Sequence, residues 1–322
     1  MPLVSFGAAL VVLRWLVRSR LARLALDHPN RRSLHHAPTP RVGGIGVLVG
    51  VGIALAVVGA DTMRALGAGL VVLAAVSLAD DVRGVGIATR LAAHFVAAGL
   101  LVASVVYTQM GLAASVLIAV GVVWMINLYN FMDGSDGLAG GMALFGFSFY
   151  GLGAWLGGNE AYALLNLSIA AAAAAFLCFN FHPARVFLGD IGAVPLGYLA
   201  AALGLIGWNR GLWPLWFPLL VFSPFIVDAS LTLARRAARR ERVWEAHFDH
   251  YYQRLIRMGW GHRRTALSEY ALMFLCGFAA VTALSAGTAA QALLVGAAAL
   301  VYAVLAVAVD LAWFRFHARQ SA

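Results

Sequence analysis

The sequence is poor in charge, contains only two cysteines and has no lysine. Only 11% of its 322 residues are charged, whereas a soluble globular domain carries about 25%. This shortage excludes an ordinary soluble protein. Cys178 and Cys276 lie in separate apolar stretches without CxxC spacing, which argues against both a disulfide framework and a zinc site.

Apolar residues make up 62% of the sequence and occur in long runs. A helix needs about 20 residues to cross the hydrocarbon core. We therefore predict an all-α polytopic integral membrane protein with about 10–11 transmembrane helices, formed by one domain over residues 1–322. The candidate spans are Leu3–Val17, Gly43–Ala60, Met63–Ala79, Leu91–Thr108, Leu112–Tyr129, Leu138–Leu156, Ala161–Phe179, Ile191–Trp208, Leu212–Leu233, Leu267–Ala286 and Ala289–Phe314.

All 23 basic residues are arginines, and against 14 acidic residues they give a net charge of +9. In a soluble protein this balance would suggest nucleic acid, but arginine-rich loops also mark the cytoplasmic side of a membrane protein, so no nucleic-acid partner is expected. The first apolar run precedes its arginines, unlike a signal peptide, and is predicted to be a retained span. With the N-terminus outside, only Arg64 and Arg210 fall on the outer side. The longest cytoplasmic loop is then about 235–266.

A basic loop, residues 27–44, follows the first span. Two prolines fix its backbone, and Gly43 and Gly44 lead into the next helix, whose amide end favours an anion. Arg41 could bind phosphate oxygens through two parallel hydrogen bonds. The same composition is equally typical of a loop that touches lipid head groups.

Adjacent carboxylates, Asp80 and Asp81, end the third span. They repel each other at a membrane boundary, which favours a bound cation or a proton on one of them. On a helix they point about 100° apart, so only one would face a given ligand. The alternative is a helix-end pair whose charge is compensated by Arg83 and Arg90.

Asn127, Asn130 and Asp133 recur at three-residue intervals at the end of the fifth span. That spacing on a helix places two amides and a carboxylate on one face, and Asp136 follows directly. Glycines after both aspartates let the backbone approach a ligand closely. An EF-hand is disfavoured, because its register and its terminal glutamate are missing.

Two later segments carry further polar groups. Asp190 stands between glycines at the start of a helix, either as a helix cap or as a metal ligand. In the long loop, a helix would put His247, His250 and Arg254 on one face, where they suit phosphates better than zinc because no third zinc ligand is evident. An amphipathic helix lying on the inner leaflet is compatible with the same pattern.

Taken in order, these segments resemble the polyprenyl-phosphate N-acetylhexosamine-1-phosphate transferase superfamily, also called glycosyltransferase family 4. The resemblance covers residues 27–264, and its Asn/Asp run is highly specific. The matching motifs are Pro38-Thr39-Pro40-Arg41-x-Gly43-Gly44, Asp80-Asp81, Asn127-x-x-Asn130-x-x-Asp133-Gly-x-Asp136-Gly-Leu-Ala, Gly189-Asp190-x-Gly192, Pro224-x-x-x-Asp228 ahead of Arg235-Arg236, and His247-x-x-His250.

Members of this family move a sugar 1-phosphate from a UDP-sugar to undecaprenyl phosphate and release UMP. The resemblance implies a UDP-sugar donor, undecaprenyl phosphate, the lipid bilayer and magnesium, with manganese as an alternative ion. It also implies a bacterial inner (plasma) membrane with catalytic loops on the cytoplasmic face, and it leaves a homodimer open as one assembly.

The resemblance implies roles for individual residues as well. The residues with an implied catalytic role are Asp80, Asp81, Asp133, Asp136 and Asp190. The implied metal residues are Asp190 and Asp136. The implied substrate-binding residues are Asn127, Asn130, His247, His250, Arg254, Arg41 and, as a weaker match, Asp228.

Two departures from the family pattern bear on the donor. Ala193 stands where many relatives have serine, so a hydroxyl contact is absent there. The three consecutive histidines of the peptidoglycan enzyme are also absent, and the motif resembles the branch that starts O-antigen or other surface-glycan synthesis. This favours a UDP-N-acetylhexosamine or a modified relative over UDP-muramoyl pentapeptide.

A cation- or proton-coupled transporter is the main alternative function. It would place carboxylates along a pathway near the middle of the spans, whereas only Asp228 and Asp310 lie deeper than the span ends. A non-catalytic membrane scaffold gives no reason for five aspartates clustered with glycine and asparagine. The sequence therefore favours the transferase.

Overall fold

The computed structural model describes residues 1–23, 25–27, 29, 38–57, 60–243 and 247–320, with the backbone alone for 23, 57, 60–65 and 320. Much of the basic loop, residues 30–37, therefore lies outside the described residues. The helices are α1 (Pro2–Arg18), α2 (Gly43–Val57), α3 (Ala60–Arg83), α4 (Ile87–Val105), α5 (Tyr107–Phe131), α6 (Leu138–Leu156), α7 (Glu160–Asn180), α8 (Asp190–Asn209), α9 (Trp216–Val221), α10 (Ser223–Ala238), α11 (Tyr251–Leu255), α12 (Gly261–Ala283) and α13 (Thr288–Gln320). Arg20–Arg23 forms a 3-10 turn and Ile256–Trp260 a π-helical turn.

Strand structure in the described part of the chain is limited to one short antiparallel pair, β1 (Leu26–Asp27) and β2 (Thr39–Pro40). Seven described helical segments are long and apolar enough to cross a membrane. They are α4, α5, α6, α7, α8, α13 and the segment Tyr251–Ala283 that runs from α11 into α12. The predicted all-α polytopic membrane fold is thus confirmed, while the number of crossings stays a prediction.

The predicted spans fall on these helices, with one informative break. The stretch 212–233 is not one helix but two, α9 and α10, which meet at Phe222. Pro224 occupies the first turn of α10, where its missing N–H is tolerated. The long loop predicted at 235–266 is also shorter than expected, because α10 continues to Ala238 and α12 begins at Gly261. Its residues 244–246 lie outside the described part.

Helix α8 occupies the centre of the bundle, and nearly all of its residues are buried. It packs against α2, α3, α5 and α6. Small residues permit this close approach. At Gly44 of α2, an added Cβ would lie 2.3 Å from the backbone N of Gly192, and at Gly197 it would lie 2.9 Å from the Cα of Ile126. These close contacts between backbones therefore fix the position of α8 against α2 and α5.

Gly44→Ala is expected to lower the unfolding temperature markedly and to reduce the yield of folded protein. The new methyl group would meet backbone atoms of α8, which have no flexible side chain to move aside, and overpacking of this kind costs about 1–3 kcal/mol or more. Gly52→Ala is the matched control, since the same helix carries Gly52 with no atom within 4 Å of its added Cβ. Equal unfolding temperatures for the two variants would contradict this packing.

The bundle gathers several helix ends at one pole. The start of α2 binds the loop before α8, through Gly43 N to Phe187 O (2.9 Å) and Gly44 N to Leu188 O (2.8 Å). The start of α6 is tied to the end of α7 by the Gly137 amide, which donates to Asn180 Oδ1 at 2.9 Å. The polar motifs that are distant in sequence therefore meet at this pole.

Candidate active site

Three charged side chains lie at the centre of the polar pole, the end of the bundle where the polar motifs meet. The Nη1 of Arg90, near the start of α4, donates to Asp80 Oδ2 at 2.9 Å and to Asp190 Oδ2 at 3.2 Å. The two carboxylates lie within hydrogen-bonding reach of each other. Asp80 also accepts the Val85 amide at 2.5 Å, which closes the turn after α3. One arginine therefore holds two carboxylates that would otherwise repel each other.

Asp81, the other member of the pair, has different partners. Its Oδ1 accepts the Asp190 amide at 3.1 Å and its Oδ2 accepts the Ile191 amide at 2.9 Å. Both oxygens therefore serve the unpaired amide end of α8. Gly189 takes the cap position with φ +74°, so the cap residue has no side chain, and Asp190 is the first helical residue, whose carboxylate accepts from Arg90. Asp81 thus positions Asp190 and leaves the Asp190 carboxylate available for a ligand.

Asp81→Ala is expected to lower stability by about 1–2 kcal/mol, as loss of a helix cap does, and to lower kcat as well, because Asp190 loses its anchor. Asn159→Ala is the matched control. Asn159 caps α7 by accepting the Tyr162 amide at 3.1 Å, away from the candidate site, so it should lose similar stability with kcat unchanged. Thermal unfolding and steady-state rates on both proteins test this, and an unchanged kcat in Asp81→Ala would contradict the positioning role.

Asp133 lies past the end of α5, which stops at Phe131. It is therefore not on the helical face that the spacing of Asn127 and Asn130 suggested. Burial, together with the nearby charges of Asp190 and Asp81, raises the pKa of Asp133 well above its usual value. Asp133 thus belongs to the same electrostatic cluster as Asp190.

Arg41 supplies positive charge to this cluster. It forms an ion pair with Asp27 at 2.8 Å and is about two-fifths exposed. Burial opposes its charge, but Asp27, Asp81 and Asp190 outweigh that effect and hold the pKa of Arg41 above its usual value. Arg41 therefore stays cationic beside the aspartates.

A cavity of about 440 Å³ opens beside these charges. Its apolar wall includes Leu73, Val76, Ile87, Leu91 and Val194. The polar side chains that line it are Ser77, Arg90, His94, Asn127, Asn130, Asp190, His247, His250 and Gln253. Asn127 is held by its Nδ2, which lies 3.2 Å from His94 Nδ1 and donates to Val123 O at 2.7 Å. The cavity thus combines both amides with the Asp190–Arg90 pair and three imidazoles.

His250 is oriented by a buried carboxylate. Asp228 Oδ1 lies 3.0 Å from His250 Nδ1 and accepts the Tyr251 amide at 3.0 Å, while its Oδ2 accepts the Tyr252 amide at 3.0 Å. An ionised carboxylate only accepts hydrogen bonds, so Nδ1 of His250 is the donor and Nε2 remains for the cavity. Asp228 is therefore a positioning residue that sets both the ring of His250 and the start of α11.

His247 has the opposite arrangement. Its Nδ1 lies 3.2 Å from the Asp249 amide, which is a donor, so Nδ1 accepts and Nε2 carries the proton. Burial, the neighbouring His250 and Arg236 lower the pKa of His247 to about 4. The ring is therefore neutral at pH 7 and offers an Nε2–H donor. The two ring centroids lie 4.8 Å apart.

Two other predicted residues have partners of their own. Arg254 Nη1 binds Asp310 Oδ1 at 2.9 Å, on α13. Residues 247–254 do not form one helix, since α11 begins only at Tyr251 and His250 is its N-cap. Asp136 Oδ2 accepts from His182 Nδ1 at 2.6 Å and from the Ala184 amide at 3.1 Å. The structure thus places Arg254 against α13 and Asp136 against the loop after α7.

Sequence reasoning missed several residues of this pole. Arg90 was considered only as charge compensation, although it contacts both Asp80 and Asp190. His94 is one helical turn further along α4 on the same face, and that spacing was the available signal. His182 and His262 stack at 5.3 Å beside Asp136. Their sequence positions, 80 residues apart, gave no signal for this pairing.

The donor set fits magnesium, which takes oxygen ligands and usually keeps several waters. Asp80, Asp190 and Asp133 supply carboxylates, and Arg90 and Arg41 offset part of their charge. Within the described residues no three His, Cys, Asp or Glu side chains lie close enough together to hold a metal ion by themselves. An ion held here would therefore complete its coordination shell with water and phosphate oxygens. Manganese accepts the same oxygen ligands.

Comparison with known proteins reveals similarity over most of the chain. The model of the family "Glycosyl transferase family 4" matches residues 63–208. A Mycobacterium tuberculosis (strain CDC 1551 / Oshkosh) decaprenyl-phosphate N-acetylglucosaminephosphotransferase is 31% identical, covering 83% of this chain and 78% of that protein. The chain belongs to glycosyl transferase family 4.

Two further relatives of this family 4 protein are also named as phosphotransferases. A Bacillus subtilis (strain 168) protein, described as a probable undecaprenyl-phosphate N-acetylglucosaminyl 1-phosphate transferase, is 27% identical over 88% of this chain and 84% of its own length. A phospho-N-acetylmuramoyl-pentapeptide-transferase of Synechococcus sp. (strain RCC307) is 28% identical over 85% of this chain and 86% of its own length. The relatives are phosphotransferases, which supports an enzyme and gives the transporter alternative no support.

Proposed function

We propose that this family 4 protein transfers an N-acetylhexosamine 1-phosphate from a UDP-sugar to undecaprenyl phosphate and releases UMP. The observation that carries the proposal is the Asp80–Arg90–Asp190 cluster, which adjoins a cavity that also presents His247 and His250. Two phosphate-bearing reactants require this combination of carboxylates for a cation and N–H donors for phosphate oxygens.

The chemistry is an in-line phosphoryl transfer. An oxygen of the lipid phosphate attacks the β-phosphorus of the donor, a new P–O bond forms, and the bond from β-phosphorus to the bridging oxygen breaks so that UMP leaves. Positioning and charge neutralisation dominate such reactions. A phosphate monoester with a second pKa of about 6 is already largely dianionic at neutral pH, so this route needs no general base.

The chain's own residues then have distinct tasks. Asp80 and Asp190, whose carboxylates lie within reach of each other, would hold magnesium, which would supply charge neutralisation at the phosphate oxygens, and Asp133 adds negative charge nearby. Arg90 and His247 line the cavity and would supply N–H donors to it, and Asp228 fixes the ring of His250, which lines it too. Asn127 and Asn130 line the same cavity. In this proposal they bind the donor.

A smaller apolar cavity supports a lipid acceptor. It measures about 250 Å³ and lies between α5, α8 and the α9–α10 break, where Val122, Met125 and Leu205 are among its lining residues. On α8 its lining begins at Ala200, six residues beyond Val194 of the polar cavity. At 1.5 Å per residue that is about 9 Å deeper along the helix. The position suits the first isoprene units of an acceptor whose phosphate reaches Asp190.

The donor and the cellular setting extend the same proposal. The relatives named for N-acetylglucosamine 1-phosphate transfer make UDP-N-acetylglucosamine the first donor to test. We place the polar pole in the cytoplasm and the N-terminus outside, in a bacterial inner membrane, because the arginine-rich loops share that pole. The product would start a surface glycan, with an O-antigen-like polymer as one example.

The test is UMP release by the purified full-length protein with undecaprenyl phosphate, magnesium and a panel of UDP-N-acetylhexosamines. Release that requires both the lipid and the metal is expected with one donor. Omitting the lipid controls for simple hydrolysis of the donor, and manganese in place of magnesium tests the alternative ion. No release with any donor from folded protein would contradict the proposed reaction.

A further inference from the structure

A second, larger cavity lies behind the candidate site and has no task in the proposed reaction. It measures about 860 Å³, opens to the surface of the bundle and is lined mainly by α10, α11, α12 and α13. Aliphatic side chains dominate its walls, among them Val227, Leu231, Leu272, Leu275, Val301 and Leu305. Asp228 belongs to both regions, since it lines this cavity and binds His250, which lines the site cavity.

Helix α13 forms one wall of this cavity and packs loosely. Ala306 is the only buried residue in the described part of α13. Polar contacts hold the helix instead, including Ser223 Oγ to Tyr302 OH at 2.7 Å, and Asp310 to Arg235 at 2.5 Å. An apolar space does not hold water stably. Between helices in a bilayer, it is therefore filled by hydrocarbon chains.

One end of the cavity is cationic. Arg315 and Arg319 line it from successive turns of α13, and both side chains are exposed. In the described chain neither has an assigned hydrogen bond or acidic partner. Val301, at the apolar end, is 14 residues from Arg315, or about 21 Å along a helix. One leaflet contributes about 15 Å of hydrocarbon, so with the arginines at head-group level the aliphatic wall spans that leaflet and ends just past the bilayer midplane.

The acidic residues in the walls do not oppose an anion at this end. Asp228 is occupied by His250, Thr232 and the amides of Tyr251 and Tyr252. Glu269 interacts electrostatically with Tyr302, which is 13 residues, or about 20 Å, from Arg315 along α13. The head-group end of the cavity therefore favours a negatively charged ligand.

We propose that this cavity is a second lipid site, separate from the acceptor's, and that it takes an anionic phospholipid of the bilayer. The acyl chains lie between α10, α12 and α13, and the phosphate lies between Arg315 and Arg319. The occupant stabilises α13 against the rest of the bundle, and Asp310 transmits this to α10 through Arg235 and to α11 through Arg254.

A consequence for activity rests on the proposed function. α11 begins at His250, and Arg254 of the same short helix is anchored to Asp310 of α13. A lipid that holds α13 in place therefore holds His250 toward the site cavity. Bilayers that contain the anionic lipid should raise transfer several-fold over neutral bilayers.

Native mass spectrometry of the purified protein with phosphatidylglycerol or phosphatidylcholine tests the head-group contact. Retention of one phosphatidylglycerol is expected, and Arg315→Gln/Arg319→Gln should weaken it roughly 30-fold, because each arginine near an anionic surface contributes about a fivefold preference. Arg14→Gln/Arg18→Gln is the matched control, since these residues are also exposed and one turn apart on α1. Equal retention of phosphatidylcholine, or equal loss in both double variants, would overturn the site.

A cavity-filling substitution tests the chain contact. Ala308 lines the cavity, whereas Ala303 of the same helix is exposed and does not line it. Ala308→Trp should expel the bound phosphatidylglycerol and Ala303→Trp should retain it. Retention by both variants would overturn the placement of the acyl chain.

Rates of UMP release in nanodiscs separate this proposal from the proposed function. Phosphatidylglycerol should activate the wild-type protein and leave Arg315→Gln/Arg319→Gln unchanged. Selective binding without activation would overturn the coupling through Asp310. Selective binding by a protein that releases no UMP from any donor would overturn the proposed function and leave the lipid site standing.

Discussion

Asp190→Asn is expected to reduce UMP release by about a thousandfold or more while leaving a folded protein. The carboxylate of Asp190 is the central member of the cluster, since it contacts Asp80 and Arg90 and raises the pKa of Asp133. The amide keeps the shape of the side chain but removes the charge that a cation needs. Charge stabilisation by a bound metal is worth several kcal/mol, and about 4 kcal/mol corresponds to a thousandfold in rate.

Glu160→Gln is the control for the loss of charge alone. Glu160 is the first residue of α7, just as Asp190 is the first residue of α8, and it lies far from the polar pole. The rate of UMP release by Glu160→Gln should equal that of the wild-type protein. The assay compares initial rates over a range of magnesium concentrations, with unfolding temperatures measured in parallel. Full activity in Asp190→Asn would rule out the metal role given to this residue.

Asp228→Asn is expected to lower kcat about a hundredfold, the lower end of what a positioned acid–base or donor group contributes. Asparagine offers one acceptor oxygen, whereas Asp228 uses both oxygens for His250 and the amides of Tyr251 and Tyr252. In the variant, the NH2 group of the asparagine would face a backbone N–H, which would then have no hydrogen-bond acceptor. A buried donor left unpaired costs about 1–3 kcal/mol, so the unfolding temperature should fall too.

A double-mutant cycle separates positioning from general loss of stability. If Asp228 acts through His250, the variant His250→Gln alone and the double variant should have similar kcat values, because residues that act as a unit are not additive. Steady-state kinetics of the single variants and the double variant give the coupling directly. Additive losses in log kcat would mean that Asp228 contributes only to folding.

Some parts of the site were predictable because their determinants are local. The carboxylates of Asp80 and Asp190 were expected at span ends, since charged groups inside a bilayer are costly. Their adjacency to each other was suggested only by the family resemblance. The opposite tasks of Asp80 and Asp81 follow from the angle of about 100° between neighbouring helical residues. Which of the two would face a ligand depended on the rotation of α3 against α8.

Other parts could not be read from the chain. Arg254 was expected at the donor by the family resemblance and by the face that one helix would share with His247 and His250, but α11 begins at Tyr251 and Arg254 binds Asp310. Asp136 was expected with the metal, whereas the structure gives it His182 and the Ala184 amide as partners. In both cases the partner lies more than 40 residues away in the sequence.

The sequence by itself determined the helical membrane fold and the concentration of polar chemistry at one pole. Long apolar runs must form helices in a bilayer, because every backbone polar group has to be satisfied within its own segment. Only the tertiary structure decided which side chains meet, including Arg90 with Asp80 and Asp190, and Asp228 with His250. Such meetings depend on where each helix ends and how it is rotated, and these are set by packing between helices distant in sequence.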